Sequence, residues 1–164
     1  MIFSELSMSA TTITAMIGII NFIVTCIGLV LLRYFGRRTL MIFGSATMAG
    51  TLFLMAMFAF IQNSVGLVVC VLIFVTGFEF SSGTIVWLYN AEIMKDKAMG
   101  IATFLIWFFA LVVSLALPIA IKAMHIGYIF LFLGAITFLG TIYIVMKMKE
   151  TMGLTQEQIK DLYL

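Results

Sequence analysis

Five apolar runs, at 12–32, 40–61, 65–90, 100–121 and 126–146, set the terms on which this chain can fold. Each has the length of about 20 residues that a helix needs to cross the hydrocarbon of a bilayer. The connectors RYFGRRT, QNS, EIMKDKA and KAMHI are short. Backbone polar groups in lipid must be satisfied within the segment, so the runs are predicted to be helices, and the short connectors make neighbours antiparallel. The prediction is an all-α membrane protein with five transmembrane helices. With 64% of its 164 residues hydrophobic and 10% charged, the chain carries more apolar surface than a soluble core of this size hides. Residues 1–146 therefore read as a transmembrane bundle and 147–164 as a polar tail. In the tail, Thr155 and Gln158 have capping-box spacing for a short amphipathic helix with an apolar edge of Leu154, Ile159 and Leu162.

Eight of the nine Lys and Arg residues collect on alternate connectors and the tail: Arg33, Arg37, Arg38, Lys95, Lys97, Lys147, Lys149 and Lys160, leaving only Lys122 opposite. By the positive-inside rule that side is cytoplasmic, with the N-terminus outside and the tail inside. The first residues, MIFSELSMSATT, lack the basic region and cleavage site of a secretory signal. Cys26 and Cys70 lie within apolar runs and read as small packing residues, with no disulfide framework or metal-ligand spacing. The net charge of +2 concerns membrane orientation and implies no nucleic-acid partner.

The segment GFEFSSGTIVWLYNAE, residues 77–92, is where this pattern is broken. Glu79 stands in the third run with no cation within several residues. A carboxyl group at that depth is costly unless it meets a partner, a cavity or a proton, and so marks a candidate site. Glu79, Gly83, Trp87 and Asn90 fall on one helical stripe, and Gly77 and Gly83 offer places for the helix to bend. The first run carries its own stripe of Gly18, Asn21, Thr25 and Gly28. Asn21 lies ~14 Å and Glu79 ~21 Å along their helices from the same face, comparable depths once tilt is allowed. A substrate pocket uses such a pair, and so does a single interhelical hydrogen bond. Gly44, Ser45, Ala46, Ala49 and Gly50 in the second run, and Gly134 and Gly140 in the fifth, are expected close-approach positions. Pro118 is expected to kink the fourth. His125, beside Tyr128, reads as an interfacial residue rather than a proton carrier.

The residues contain no Ser-His-Asp set, paired carboxylates, metal cluster or phosphate-cradling loop, so the chain reads as no enzyme and needs no cofactor or metal. Transport uses what is present. A neutral polyol is held by amide and carboxylate groups and an aromatic face, which Asn21, Glu79 and Trp87 supply, while glycine breaks allow the bending of alternating access. Arg37 and Arg38 stand where they meet Glu92, either as a gate latch or as ordinary positive-inside anchors.

Several motifs in order then resemble the C-terminal part of a sugar porter of the major facilitator superfamily, the family of hexose transporters. IGIINFIVT with Asn21 is similar to the family's eighth span, followed by the GRR signature at Gly36, Arg37 and Arg38. GFEFSSGTIVWLYNAEI, with Gly83, Trp87, Glu92 and Ile93, resembles the tenth span. KAMGIATFLIW resembles the start of the eleventh, and GYIFLF with KETMGLTQEQI resembles the twelfth and the terminal signature. The resemblance implies a partial major-facilitator bundle, spans eight to twelve of a twelve-span fold, in the plasma membrane. It implies sugar contacts at Asn21, Glu79 and Trp87, with Phe78 and Trp107 lining the cavity. It also implies a cytosolic charge network of Gly36, Arg37, Arg38, Glu92 and Glu150. Its partners would be a sugar, the lipid bilayer, and the missing N-terminal half or another membrane chain.

The sequence departs from the family pattern in ways that carry expectations. Arg33 stands for an acid three residues before GRR, which weakens the network there. Ser82, Thr84 and Val86 stand where prolines flank Gly83, so a stiffer helix is expected. Ile106 replaces an asparagine, and Lys149 and Met152 replace a proline and a lysine. Without the other half of the cavity, Glu79 would face lipid, which favours a fragment of a carrier. The alternative is a truncated membrane protein with a structural or regulatory interaction role.

Overall fold

A computed structural model describes residues 10–163. The described chain is helical, with no strand: α1 Ala10–Leu31, α2 Arg37–Ile61, α3 Ser64–Phe78, a π turn Glu79–Gly83, α4 Ile85–Ile93, α5 Asp96–Ala123, α6 Ile126–Lys147 and α7 Gln156–Tyr163. Helices α3 and α4 and the π turn between them form one apolar rod, Ser64–Ile93. That rod, α2, α5 and α6 are each long and apolar enough to cross a membrane, while the apolar part of α1, Ile17–Leu31, is shorter.

Helix α2 is the hub, packed between α3 and α6. Its Leu52, Met55 and Ala59 form a buried cluster with Leu67 and Cys70 of α3, flanked by Phe130 and Leu133 of α6. A second cluster of Leu32, Leu40 and Ile85 joins the opposite ends of α1, α2 and α4. Small residues permit this packing where backbones meet. A Cβ on Gly44 would lie 2.6 Å from the Gly77 carbonyl oxygen, so only glycine fits that crossing. Of the expected small-residue face, Gly44, Ser45 and Ala49 are buried, whereas Ala46 and Gly50 are exposed. In α6, Gly134 meets Phe53 and Leu52, while Gly140 has open space beside it. Cys70 is buried, but Cys26 is exposed and does not serve as the packing residue anticipated for it.

The connections are locally determined. Gln62 turns the chain after α2 with a left-handed φ of 59°, and Asn63 caps α3 by accepting from Gly66 N at 2.9 Å. His125 caps α6 through Gly127 N at 3.1 Å and stacks on Phe60 at 5.1 Å, which gives its ring a structural role. Helix α5 continues past Pro118 to Ala123. It buries no side chain and touches the bundle weakly, through α6. Polar side chains within the helices bond back to their own turns, as Thr51 does to Thr47 O at 2.9 Å and Thr76 to Leu72 O at 2.9 Å. Among the described residues no buried side-chain nitrogen or oxygen lacks a partner, as a nonaqueous solvent demands.

Candidate functional site

Glu79 opens the π turn and is 8% exposed. Its carboxylate is received by α1. Asn21 Nδ2 donates to Oε1 at 2.8 Å, and Thr25 Oγ1 lies 3.0 Å from Oε2 and 2.8 Å from the Asn21 carbonyl oxygen. Asn21 and Thr25 are one helical turn apart, so a single face of α1 addresses both carboxylate oxygens. Hydrogen bonds to a carboxylate are among the stronger ones, and burial away from water raises what it costs to lose them. The expectation that Glu79 would face lipid in the absence of a second bundle is therefore corrected: α1 covers it.

The backbone around Glu79 departs from the α ladder. Instead of the stiffer helix expected where Ser82, Thr84 and Val86 replace prolines, the chain takes a π turn through Gly83, and Thr84 closes it at φ −108°. Such π turns are rare and occur frequently at functional sites. Small residues make it possible without proline. Ser81, fully buried, anchors the other side of the turn by donating to Gly77 O at 2.8 Å and lying 3.4 Å from Met48 Sδ. Gly83 has a role beyond flexibility, because a Cβ there would sit 2.8 Å from Glu79 Oε2. The missing side chain leaves the carboxylate its place.

The structure joins Asn21 and Glu79 by a direct hydrogen bond, and the three aromatic residues expected around them stand on three separate helices. Trp87 is half-buried on α4, Phe78 is 40% exposed at the end of α3, and Trp107 is 64% exposed on α5. Thr25, part of the polar stripe of the first run, is the site residue that sequence reasoning left unassigned; its one-turn spacing from Asn21 was the available signal.

At the other end of the bundle, the GRR segment begins α2. Glu150 supplies its cap from the far end of the chain: Oε1 accepts from Arg37 N at 2.8 Å and Oε2 from Arg38 N at 3.0 Å. A carboxylate there meets the unpaired amides and the positive end of the helix dipole. A Cβ on Gly36 would overlap the Glu150 carboxylate, which explains a glycine ahead of the two arginines. Arg37 Nη2 pairs with Glu92 Oε1 at 2.9 Å, and Thr151 Oγ1 donates to Glu92 Oε2 at 2.5 Å. Arg38 does not meet Glu92; its Nη2 donates to Val145 O at 2.9 Å, at the end of α6. Tyr89 binds the tail through Tyr163 and the Lys149 carbonyl. The capping box forms, with Thr155 N donating to Gln158 Oε1 at 2.9 Å and Gln158 N to Thr155 Oγ1 at 3.4 Å. Ile159 is the buried edge of the resulting helix.

Residues 1–163 match the family described as sugar (and other) transporter, and the chain belongs to it. It is similar to trehalose transporter 1 of Drosophila melanogaster, 32% identical over 159 residues that cover 90% of this chain and 19% of that protein. It is similar also to the arabinose-proton symporter of Bacillus subtilis (strain 168), 30% identical over 157 residues, covering 92% of this chain and 34% of that one. Among solved structures, the inward-open xylose transporter XylE from E. coli superposes with a TM-score of 0.82 at 25% identity, covering 92% of this chain and 35% of XylE. A double-tryptophan XylE mutant superposes at 0.90, with 26% identity, covering 99% of this chain and 37% of that one. The fold is thus part of a major-facilitator bundle, and the relatives are transporters rather than enzymes. The chain spans about a third or less of each curated relative described here.

Proposed function

We propose that this chain is the portion corresponding to spans eight to twelve of a carrier that moves a hexose or related polyol across the plasma membrane by alternating access. The observation that carries the reading is the cluster of buried Glu79 with half-buried Asn21 and Thr25 beside a π turn. An amide, a hydroxyl and a carboxylate, group types that bond sugar hydroxyls, meet there beside an irregular turn of the helix, and this supports the reading. Membership of the sugar transporter family supports it, as do relatives named for trehalose, arabinose and xylose. In this reading the five runs are five spans with the N-terminus outside and the tail in the cytoplasm. Asn21, Glu79 and Trp87 contact the sugar, and Phe78 and Trp107 line a cavity that the remainder of the carrier closes. Gly36, Arg37, Arg38, Glu92 and Glu150 are the cytosolic gate.

The test is sugar uptake by the full-length carrier. Glu79→Ala and Trp87→Ala are each expected to abolish uptake while leaving membrane insertion, followed by surface labelling, unchanged. Undiminished uptake by both variants removes the site assignment. The second reading, a truncated membrane protein with a structural or regulatory interaction role and no transport of its own, rests on α5, which buries no side chain in the bundle and leaves its apolar surface to lipid or to another membrane chain. Transcript sequence upstream of Met1 separates the two: seven further spans in frame support the carrier, and their absence supports the second reading.

A further inference from the structure

A cavity of about 640 Å³ lies between α2, α4, α6 and α7, at the end of the bundle where the lysines and arginines gather. Its volume is in the range of sites that take a whole small molecule. Neither Glu79 nor Glu92 lines it, so the sugar site and the gate leave it unused. The inner wall is apolar, built from Met41, Ile85 and Ile93, with Ile85 1% exposed. The rim is polar. Tyr143 is 67% exposed, one turn before Lys147 on α6, and Asn90 of α4 also lines the cavity. The other lysine of the rim is committed, because Lys149 Nζ donates to the Leu162 carbonyl and rests 5.5 Å over the Tyr163 ring. Lys147 takes part in no ion pair among the described residues and is the cation left for a ligand.

An apolar wall beneath a tyrosine and a lysine at the end of a membrane helix is amphipathic in the sense of the bilayer edge. Tyrosine rings settle at headgroup level, and lysine carries its charge outward on an apolar stem. A fully polar anion would leave the Met41–Ile85–Ile93 wall wet, and a neutral amphiphile would leave Lys147 unmatched. We propose that this cavity binds one acidic phospholipid of the adjoining leaflet, with its phosphate on Lys147 and Asn90 and an acyl chain against the apolar wall. Basic pockets between helices on the cytoplasmic side take anionic headgroups in this way.

The full-length carrier, in nanodiscs of phosphatidylcholine with a minor share of phosphatidylglycerol, tests the site by native mass spectrometry of the lipid retained on detergent extraction. Phosphatidylglycerol is expected to be enriched on the protein over its share of the bilayer. Lys147→Ala should lower that retention about fivefold, the effect of one lysine near the membrane surface. Lys147→Arg should preserve it, and Lys122→Ala, at the opposite end of the bundle, should leave it unchanged. Equal retention of the two lipids overturns the proposal, as it would if polypeptide from the rest of the carrier filled the cavity. Full retention in Lys147→Ala overturns it too. Release of the lipid by inorganic phosphate alone reassigns the site to a soluble anion. The readout is lipid and not sugar, so its failure is distinct from failure of the uptake experiment.

Discussion

Glu79 would be among the least tolerable residues of an apolar helix if its two oxygens were not spoken for. Asn21 and Thr25 answer one oxygen each, from adjacent turns of α1. Thr25→Val keeps the side chain's shape and removes the hydroxyl, leaving Oε2 without that partner, a loss of about 1–3 kcal/mol for a buried polar group. We expect Thr25→Val to raise the KM for sugar about tenfold, since 1.4 kcal/mol is one decade, while Thr25→Ser stays near wild type. Uptake kinetics with the full-length carrier check this, and an unchanged KM in Thr25→Val would show that Thr25 does not position Glu79. The position of Glu79 as the outstanding residue of its run was legible from composition and depth alone. Its hydroxyl partner was not, because threonines in apolar helices so often bond to their own backbone, as Thr47, Thr51, Thr76, Thr137 and Thr141 do here.

Among the elements, the rod of α3, π turn and α4 differs most from its sequence pattern. Its glycines marked a place to bend, yet the loss of flanking prolines argued for stiffness. The π turn arises without them because Gly77 allows α2 to approach to backbone contact and Ser81 gives the turn a hydrogen-bonded anchor. The crossing at Gly44 is therefore the close contact on which the packing of α2 against the rod depends. Gly44→Leu would place side-chain atoms where the Gly77 carbonyl and Ser81 already sit, and overpacking of this kind costs about 1–3 kcal/mol or more. The expected outcome is a lower yield of monodisperse protein and a lower Tm by fluorescence thermal unfolding. Gly50→Leu, next to open space on the same helix, should do neither. Equal behaviour of the two variants would refute the close crossing.

For the molecule as a whole, one end is tied together by charge. Arg37, Glu92, Glu150 and Thr151 connect the start of α2, the end of α4 and the tail. The Arg37–Glu92 pair is only partly exposed, at 20% and 18% for the two side chains, so its geometry counts for more than that of a freely solvated pair. If these bonds hold one state of an alternating-access cycle, Glu92→Arg should slow turnover more than it weakens sugar affinity. The combined Glu92→Arg, Arg37→Glu exchange should recover part of the rate. Initial-rate uptake across sugar concentrations decides between them, and a change confined to KM would speak against a gate.

The amino-acid sequence alone determined the helical class, the apolar runs, the isolated acid among them, and the Thr155–Gln158 cap, because length, periodicity and capping act over a few neighbouring residues. The same locality is why it offered the Asn21–Glu79 and Arg37–Glu92 meetings only among alternatives and left other partners unread. Glu79 finds Thr25 across 54 positions and Glu150 finds Arg37 across 113. It also left open that Arg38 turns to Val145 rather than to Glu92. Those pairings depend on how whole helices cross, at Gly44 and Gly77 above all, and a hydrogen bond that forms only after the helices have packed leaves no trace in the pattern of residues beside it.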